Sequence, residues 1–123
     1  MSLRDILEAH ERALETGGAR GIINPEAIQS AIGRPYSGYY RNIWSKAAVL
    51  THSLIMNHGF TDGNKRTALL VVHLLVERSG WTFVPHAEHE IDDMLVAVAR
   101  GDLTIREIEN WYHGRLARRG HRR

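Results

Sequence analysis

A long apolar segment that begins with two cations constrains the fold of this chain more than any other part of its sequence. From Lys65 the chain reads Lys-Arg-Thr-Ala-Leu-Leu-Val-Val-His-Leu-Leu-Val-Glu-Arg, and Gly80 follows shortly after. This length and apolar content predict a buried helix that ends near the glycine. Lys65 and Arg66 then occupy its first turn, where unpaired N–H groups and the positive end of the helix dipole disfavour cations.

A bound anion removes this conflict. The backbone N–H groups from Gly63 to Arg66, together with the side chains there, predict a cradle for phosphate groups. Asp62 offers an oxygen ligand through which Mg²⁺ can be held against those phosphates. His58, four residues before Asp62, is the candidate general base. The alternative is a polar loop, rich in glycine and asparagine, that only connects two helices.

These residues resemble the signature of the Fic/Doc superfamily, in its death-on-curing (Doc) toxin branch, which reads His-x-Phe-x-Asp/Asn-x-Asn-Lys-Arg. The matching positions are His58, Phe60, Asp62, Asn64, Lys65 and Arg66. The resemblance covers most of residues 1–80. It implies an all-α fold, a compact Fic-type helical bundle with a short flap loop or hairpin before the pair of helices that carry the motif.

The resemblance also implies which phosphate moves. Superfamily members that transfer AMP carry glycine after the asparagine and a second arginine further along the helix, where this chain has Lys65 and Leu69. Lysine fills the space beside the α-phosphate, and loss of the arginine removes a clamp on the terminal phosphate. Like Doc toxins, the chain is therefore expected to bind ATP in a reversed sense and to transfer its γ-phosphoryl group to a protein hydroxyl.

By this resemblance the chain is an ATP- and Mg²⁺-dependent protein kinase that acts on elongation factor Tu and halts translation. The expected catalytic residues are His58, Lys65 and Arg66. The expected nucleotide-binding residues are Gly63, Asn64, Lys65 and Arg66, and the expected metal ligand is Asp62.

Three alternatives remain open. The first is AMP transfer to a protein hydroxyl, and the second is a binding module in which the cradle holds a phosphate ligand without chemistry. A metal-dependent phosphohydrolase is the third, although the adjacent His-Asp pair typical of helical members of that class is absent from the sequence.

Inhibition is expected to come from a separate protein. Many Fic proteins carry an inhibitory Ser/Thr-x-x-x-Glu-Gly/Asn sequence, and the printed chain has none. By resemblance to Doc, the expected partner is a cognate antitoxin with a disordered segment that folds into a groove on the toxin.

Composition is compatible with one domain over residues 1–123, because 43% of the 123 residues are hydrophobic and can supply a modest core. The chain has no cysteine, which fits a reducing compartment. Its N-terminus lacks the apolar stretch of a signal peptide, and its longest apolar run, Ala68 to Val76, is far shorter than a membrane span. We therefore expect a cytoplasmic location and no membrane contact.

Pattern and capping signals predict helices along most of the chain. The predicted segments are a first helix capped by Ser2 and stopped by Gly17-Gly18, a short helix from Asn24-Pro25 to about Ile32, a helix from about Ile43 to Asn57, the segment after Asn64, a helix from His86 to Ala99, and a last helix opened by a Thr104-to-Glu107 capping box. Trp81 to Val84 is a connection or a short extended piece. Tyr36, Tyr39 and Tyr40 lie where Fic proteins have the flap that aligns the target, and a packed turn is the alternative.

The C-terminal residues 115–123 hold five of the sixteen Lys and Arg residues. We expect a frayed basic tail, and no specific nucleic-acid binding, since neither interleaved aromatic residues nor a groove-reading helix accompanies these cations. His86 and His89 have a helical spacing that a metal site can use, but two histidines are too few for structural zinc. His73, inside the apolar segment, is expected to be a hydrogen-bonded core histidine.

Overall fold

The computed structural model of the protein describes residues 2–16, 26, 42–56 and 64–119. These residues form five α-helices and one small antiparallel sheet, which confirms the predicted all-α class. The elements are α1 (Leu3–Ala13) with a 3₁₀ turn at Leu14–Thr16, α2 (Ile43–Met56), α3 (Asn64–Arg78), β1 (Trp81–Phe83), α4 (Glu90–Ala99), α5 (Ile105–His113) and β2 (Leu116–Arg118).

Two helices begin with reciprocal capping boxes. At α1 the Ser2 hydroxyl accepts from the Asp5 N–H at 3.3 Å, and the Asp5 carboxylate accepts from the Ser2 N–H at 2.8 Å. At α5 the Thr104 hydroxyl accepts from the Glu107 N–H at 3.1 Å, and Glu107 accepts from the Thr104 N–H at 2.9 Å. Each box pairs two N–H groups that a helix start otherwise leaves to solvent. Both predicted starts are therefore confirmed.

Helix α2 lies at the centre of the described bundle and packs against α3, α4 and α5. Its enclosed side chains include Ala47, Ala48, Leu50, Leu54 and Ile55. Helix α3 contributes one face to the same core, through Ala68, Val71, Val72, Leu75 and Val76. The segment that the sequence predicted to be a buried helix is therefore buried on one side, and α2 is the more enclosed of the two. No helix within the described ranges is long and apolar enough to cross a membrane.

The C-terminal segment is paired with β1. Trp81 lies opposite Arg118 and Phe83 opposite Leu116 in an antiparallel register. The Arg119 N–H donates to the Gly80 carbonyl at 2.9 Å, which extends the pairing by one residue. The prediction of a frayed tail over 115–123 is thus wrong for residues 115–119, and residues 120–123 lie outside the described part.

Arg115 fixes the start of β2 to α4. Its Nε lies 2.9 Å from a Glu90 carboxylate oxygen, and its guanidinium lies 4.3 Å from the centroid of the Trp111 ring. The side chains of this ion pair are only 19% and 11% exposed, so solvent screens the pair weakly. Arg115, which the sequence predicted to lie in a solvated tail, is therefore part of the fold.

Helix α4 begins at Glu90, four residues later than predicted. The Glu90 carboxylate accepts a hydrogen bond from the His86 backbone N–H, and the His86 ring nitrogen Nε2 lies 2.8 Å from the Gly114 carbonyl oxygen. His89 precedes the helix in a left-handed conformation with φ of 65°. His86 and His89 therefore do not share the helical spacing on which a metal site would depend.

His73 is half-buried and stacks on Phe83 with 5.5 Å between the ring centroids. Burial lowers the pKa of His73, and the charge of Glu77 opposes part of that shift. Its Nε2 atom has no hydrogen-bond partner in the described part of the protein, so the expected hydrogen bond is not made there. The imidazole serves as a packed ring.

Several predictions fall outside the described residues. They are the Gly17-Gly18 stop, the helix from Asn24 to Ile32 except for the helical Glu26, and the segment with Tyr36, Tyr39 and Tyr40. These remain predictions.

Candidate functional site

The first turn of α3 carries the polar residues that the sequence singled out. Helix α3 begins at Asn64, which is half-buried, and Lys65 and Arg66 follow as exposed residues. The first turn contains no acidic residue. The predicted placement of two cations at the positive end of a helix is therefore confirmed.

The C-terminal end of α1 meets this turn. Arg66 donates through Nη1 to the Ala13 carbonyl oxygen at 3.3 Å. Carbonyls in the last turn of a helix carry partial negative charge, so this contact offsets part of the unfavourable position of the guanidinium. This contact could not be predicted from local sequence patterns, because the two residues are 53 positions apart.

A second contact holds α1 against the other end of α3. Arg78 donates to both carboxylate oxygens of Asp5, at 2.9 and 3.1 Å. The Arg78 guanidinium and the Ser2 backbone N–H hold the pKa of the Asp5 carboxyl well below its usual range. With Asp5 near the start of α1 joined to the end of α3, and Ala13 joined to its start, the two helices run antiparallel.

The remaining predicted site residues, His58, Phe60, Asp62 and Gly63, lie outside the described part of the chain. Their proximity to Asn64, Lys65 and Arg66 follows only from adjacency in sequence and remains a prediction. Within the described ranges, no group of three or more His, Cys, Asp or Glu residues could hold a metal ion. The described residues therefore do not test the assignment of Asp62 as the Mg²⁺ ligand.

An open cleft of about 300 Å³ lies beside Leu69, four residues after Lys65. We refer to it as the Leu69 cleft. It is lined by Leu69, Pro85, Ala87, His89, Ile91 and Asp92. Leu69 stands in the sequence where a second arginine was sought, but the sequence does not predict the cleft, because its other walls come from the turn before α4 and from the start of that helix.

The described geometry suits a phosphate at the start of α3. The positive end of the helix dipole and the exposed Lys65 offer positive charge in one place, and Arg66 lies beside them. Lysine acts as a point charge that reaches a phosphate along a flexible stem, whereas arginine offers a planar fork of donors. The turn can therefore hold and neutralise a phosphate chain.

A family model and two named proteins match this chain. A model of the Fic/DOC family matches residues 1–76, a range that contains α1, α2 and the first thirteen residues of α3. "Toxin Doc" of Mycolicibacterium smegmatis is 30% identical over 112 residues, which cover 85% of this chain and 83% of that protein. "Protein adenylyltransferase fic-1" of Caenorhabditis elegans is 32% identical over 102 residues, or 66% of this chain and 20% of that protein.

Proposed function

Because the chain belongs to the Fic/DOC family, we propose that it is a Doc-type toxin that works as an ATP-dependent protein kinase. It transfers the γ-phosphoryl group of ATP to a hydroxyl of a translation factor, elongation factor Tu by resemblance, and so halts translation in the cytoplasm. The observation that carries this proposal is the pair Lys65 and Leu69. The first is an exposed cation at the start of α3, and the second lines an apolar cleft one turn later.

Lys65 and Arg66 favour phosphoryl transfer through charge. Phosphoryl transfer depends mainly on positioning and on neutralising charge that spreads over the phosphate oxygens. Two cations and the N–H groups of a helix start supply that charge before the substrate arrives. A glycine at position 65 would leave more room for a substituted α-phosphate, so the lysine favours the smaller terminal group.

His58 is the proposed general base. It takes the proton from the acceptor hydroxyl while the new bond from that oxygen to the γ-phosphorus forms and the bond to the β,γ-bridging oxygen breaks. ADP leaves with the electron pair of the broken bond. A neutral imidazole has a ring nitrogen with a free lone pair, which can accept the proton.

Asp62 is the proposed ligand for Mg²⁺, in a site completed by phosphate oxygens and water. Such sites commonly need only one or two protein carboxylates. The bound ion supplies charge neutralisation at the phosphates. Gly63 and Asn64 complete the cradle through their backbone and side-chain donors.

A cognate antitoxin is the proposed inhibitory partner. This part of the proposal is supported by the similarity to a protein named as a toxin and by the lack of the inhibitory Fic sequence in the printed chain. A disordered segment that folds on binding can cover a large surface and be removed by proteolysis.

AMP transfer is the second candidate, because a named adenylyltransferase is 32% identical over two thirds of this chain. The two functions differ in which phosphate reaches the target. Purified protein with Mg²⁺ and elongation factor Tu should incorporate label from γ-labelled ATP and none from α-labelled ATP. Incorporation of α-label would replace the kinase assignment with AMP transfer.

Lys65→Gly provides the matched variant for this experiment. It should weaken γ-transfer, because a positive charge beside the phosphates is lost. The vacated space also allows a test for α-transfer, although Leu69 still supplies no second arginine. Wild-type γ-transfer by Lys65→Gly would remove the lysine from the proposed mechanism.

A further inference from the structure

Helix α1 lies along α3 and makes a polar contact with it near each end. At the start of α3 the Arg66 Nη1 atom donates to the Ala13 carbonyl oxygen at 3.3 Å. At the end of α3 the Arg78 guanidinium donates to both carboxylate oxygens of Asp5, at 2.9 and 3.1 Å. The rise along α3 from Arg66 to Arg78 is about 18 Å. The two contacts therefore fix the helix pair at widely separated points.

Between these contacts the two helices meet through apolar side chains on one side and border an open cleft on the other. Ile6 and Ala9 of α1 are buried in the core. The cleft has a volume of about 380 Å³ and is lined by residues of both helices. Apolar burial is not directional, so it holds α1 against the core without fixing its position along α3. That position then depends on the two polar contacts.

The contact with Ala13 sets the direction of the Arg66 guanidinium. The N–H donors of arginine lie in one rigid plane, so a bond to one of them fixes where the others point. Ala13 is only 4% exposed, so water competes weakly for its carbonyl oxygen. A lysine at the same position would carry a single nitrogen on a flexible stem and would have no such fixed direction.

We propose, on the basis of the proposed function, that α1 positions Arg66 for phosphate binding and that the Asp5–Arg78 ion pair keeps the Ala13 carbonyl beside it. Asp5 and Arg78 are positioning residues, because they act through α1 and do not touch the ligand. A change at the far end of the helix pair therefore alters binding at the start of α3.

Calorimetry with Mg²⁺ and tripolyphosphate tests this coupling without relying on catalysis. Asp5→Asn and Arg78→Gln each break the ion pair, and each should weaken tripolyphosphate binding by about threefold or more. The two substitutions change the net charge in opposite directions. General electrostatic attraction would strengthen binding in Asp5→Asn and weaken it in Arg78→Gln. Weaker binding in both variants therefore reports a loss of position.

Two further variants on α1 are controls. Ser2→Ala removes the hydroxyl of the capping box and destabilises the same helix, but it leaves Asp5 and Arg78 in place. Arg4→Gln changes the net charge as Arg78→Gln does and breaks the exposed Arg4–Glu8 pair. Both controls should bind tripolyphosphate within about twofold of the wild type. A loss in either control as large as that in Asp5→Asn would overturn the proposal.

Arg66→Lys identifies the residue through which the ion pair acts. It keeps the charge but loses the planar fork, and should weaken tripolyphosphate binding by about tenfold. Asp5→Asn should then cause no further loss in the Arg66→Lys protein, because a flexible ammonium group does not take its direction from the Ala13 carbonyl. A merely structural ion pair would weaken binding equally in both backgrounds.

Three results would show that α1 does not position Arg66. They are equal losses from Asp5→Asn in the two backgrounds, wild-type affinity in both Asp5→Asn and Arg78→Gln, and no binding of tripolyphosphate to the wild-type protein.

Failure of this positioning role and failure of the kinase proposal give different results. Normal γ-transfer by the wild type, with the same tripolyphosphate affinity in Asp5→Asn, would reject the positioning role and keep the kinase. The expected pattern of affinities in a wild-type protein that transfers no γ-label would keep the positioning role and reject the kinase.

Discussion

The hydroxyl groups of Thr51 and Tyr112 join α2 to α5 inside the core. We predict that removing one hydroxyl lowers the free energy of unfolding by a different amount from removing the other. The two oxygens are 2.7 Å apart, and the Thr51 hydroxyl also donates to the Ala47 carbonyl at 2.8 Å. Threonine has one hydroxyl hydrogen. Because that hydrogen is used at Ala47, Tyr112 must be the donor in the bond between the two side chains.

The direction of this bond sets the magnitudes. Thr51 and Tyr112 are 0% and 2% exposed, so water cannot replace a lost partner. Tyr112→Phe removes the donor but leaves Thr51 bonded to Ala47, and should lower the free energy of unfolding by about 1 kcal/mol. Thr51→Val keeps the shape of the side chain but leaves the Tyr112 hydroxyl buried without an acceptor. It should lower the free energy of unfolding by about 2–3 kcal/mol.

Urea denaturation of both single variants and the double variant measures these costs. The double variant should lose less stability than the sum of the single variants, because no unpaired hydroxyl remains at Tyr112. Thr82→Val makes the same substitution at an exposed position on β1 and should change stability by no more than about 0.5 kcal/mol. A larger loss for Tyr112→Phe than for Thr51→Val, or full additivity, would show that the assigned donor direction is wrong.

Four further substitutions have expected outcomes. Asp5→Asn should lower the free energy of unfolding by about 1 kcal/mol at neutral pH, a modest loss because the half-exposed Arg78 is partly screened. The pKa of Asp5 is lowered in the folded protein. The difference in unfolding free energy between variant and wild type, measured by urea titration, should therefore narrow as pH falls below about 4. His58→Ala should retain ATP binding in calorimetry while γ-transfer falls by about 100-fold or more. Asp62→Ala should lose activity, and its ATP affinity should no longer depend on added Mg²⁺. Lys65→Gln should raise the free energy of unfolding without ligand by about 0.5 kcal/mol and weaken ATP binding.

Local signals in the sequence predicted the starts of α1, α3 and α5. Ser2 and Thr104 each lie where a short polar side chain can accept a hydrogen bond from an N–H two or three residues later. An acidic residue, Asp5 or Glu107, lies three positions after each of them. The placement of Lys65 and Arg66 in a first turn also followed from the pattern, because Asn64 precedes a sustained apolar repeat. These features depend on residues within one turn of each other.

Predictions failed where distant residues decide the structure. His86 to His89 have no local reason to leave a helix, but Glu90 accepts from the His86 N–H and binds Arg115, which is 25 positions away. The same arginine opens a strand that pairs with β1. The composition of the cationic C-terminal segment predicts that it is solvated. The structure shows instead that residues 115–119 are ordered by their contacts with β1 and α4.

The start of α3 differs from the starts of α1, α4 and α5 in a way that bears on both stability and the proposed function. Helices α1, α4 and α5 have aspartate or glutamate in their first turns, as the helix dipole favours, while α3 has cations and no acidic residue there. The Ala13 carbonyl relieves Arg66, so Lys65 is left as an exposed cation at the positive end of α3. Under the proposed function, a bound polyphosphate would reverse the sign of that contribution, because the same ammonium group would then lie beside negative charge. Lys65 would then lower the stability of the free protein and raise that of the complex, so that ligand binding would gain an interaction that is absent from the free fold.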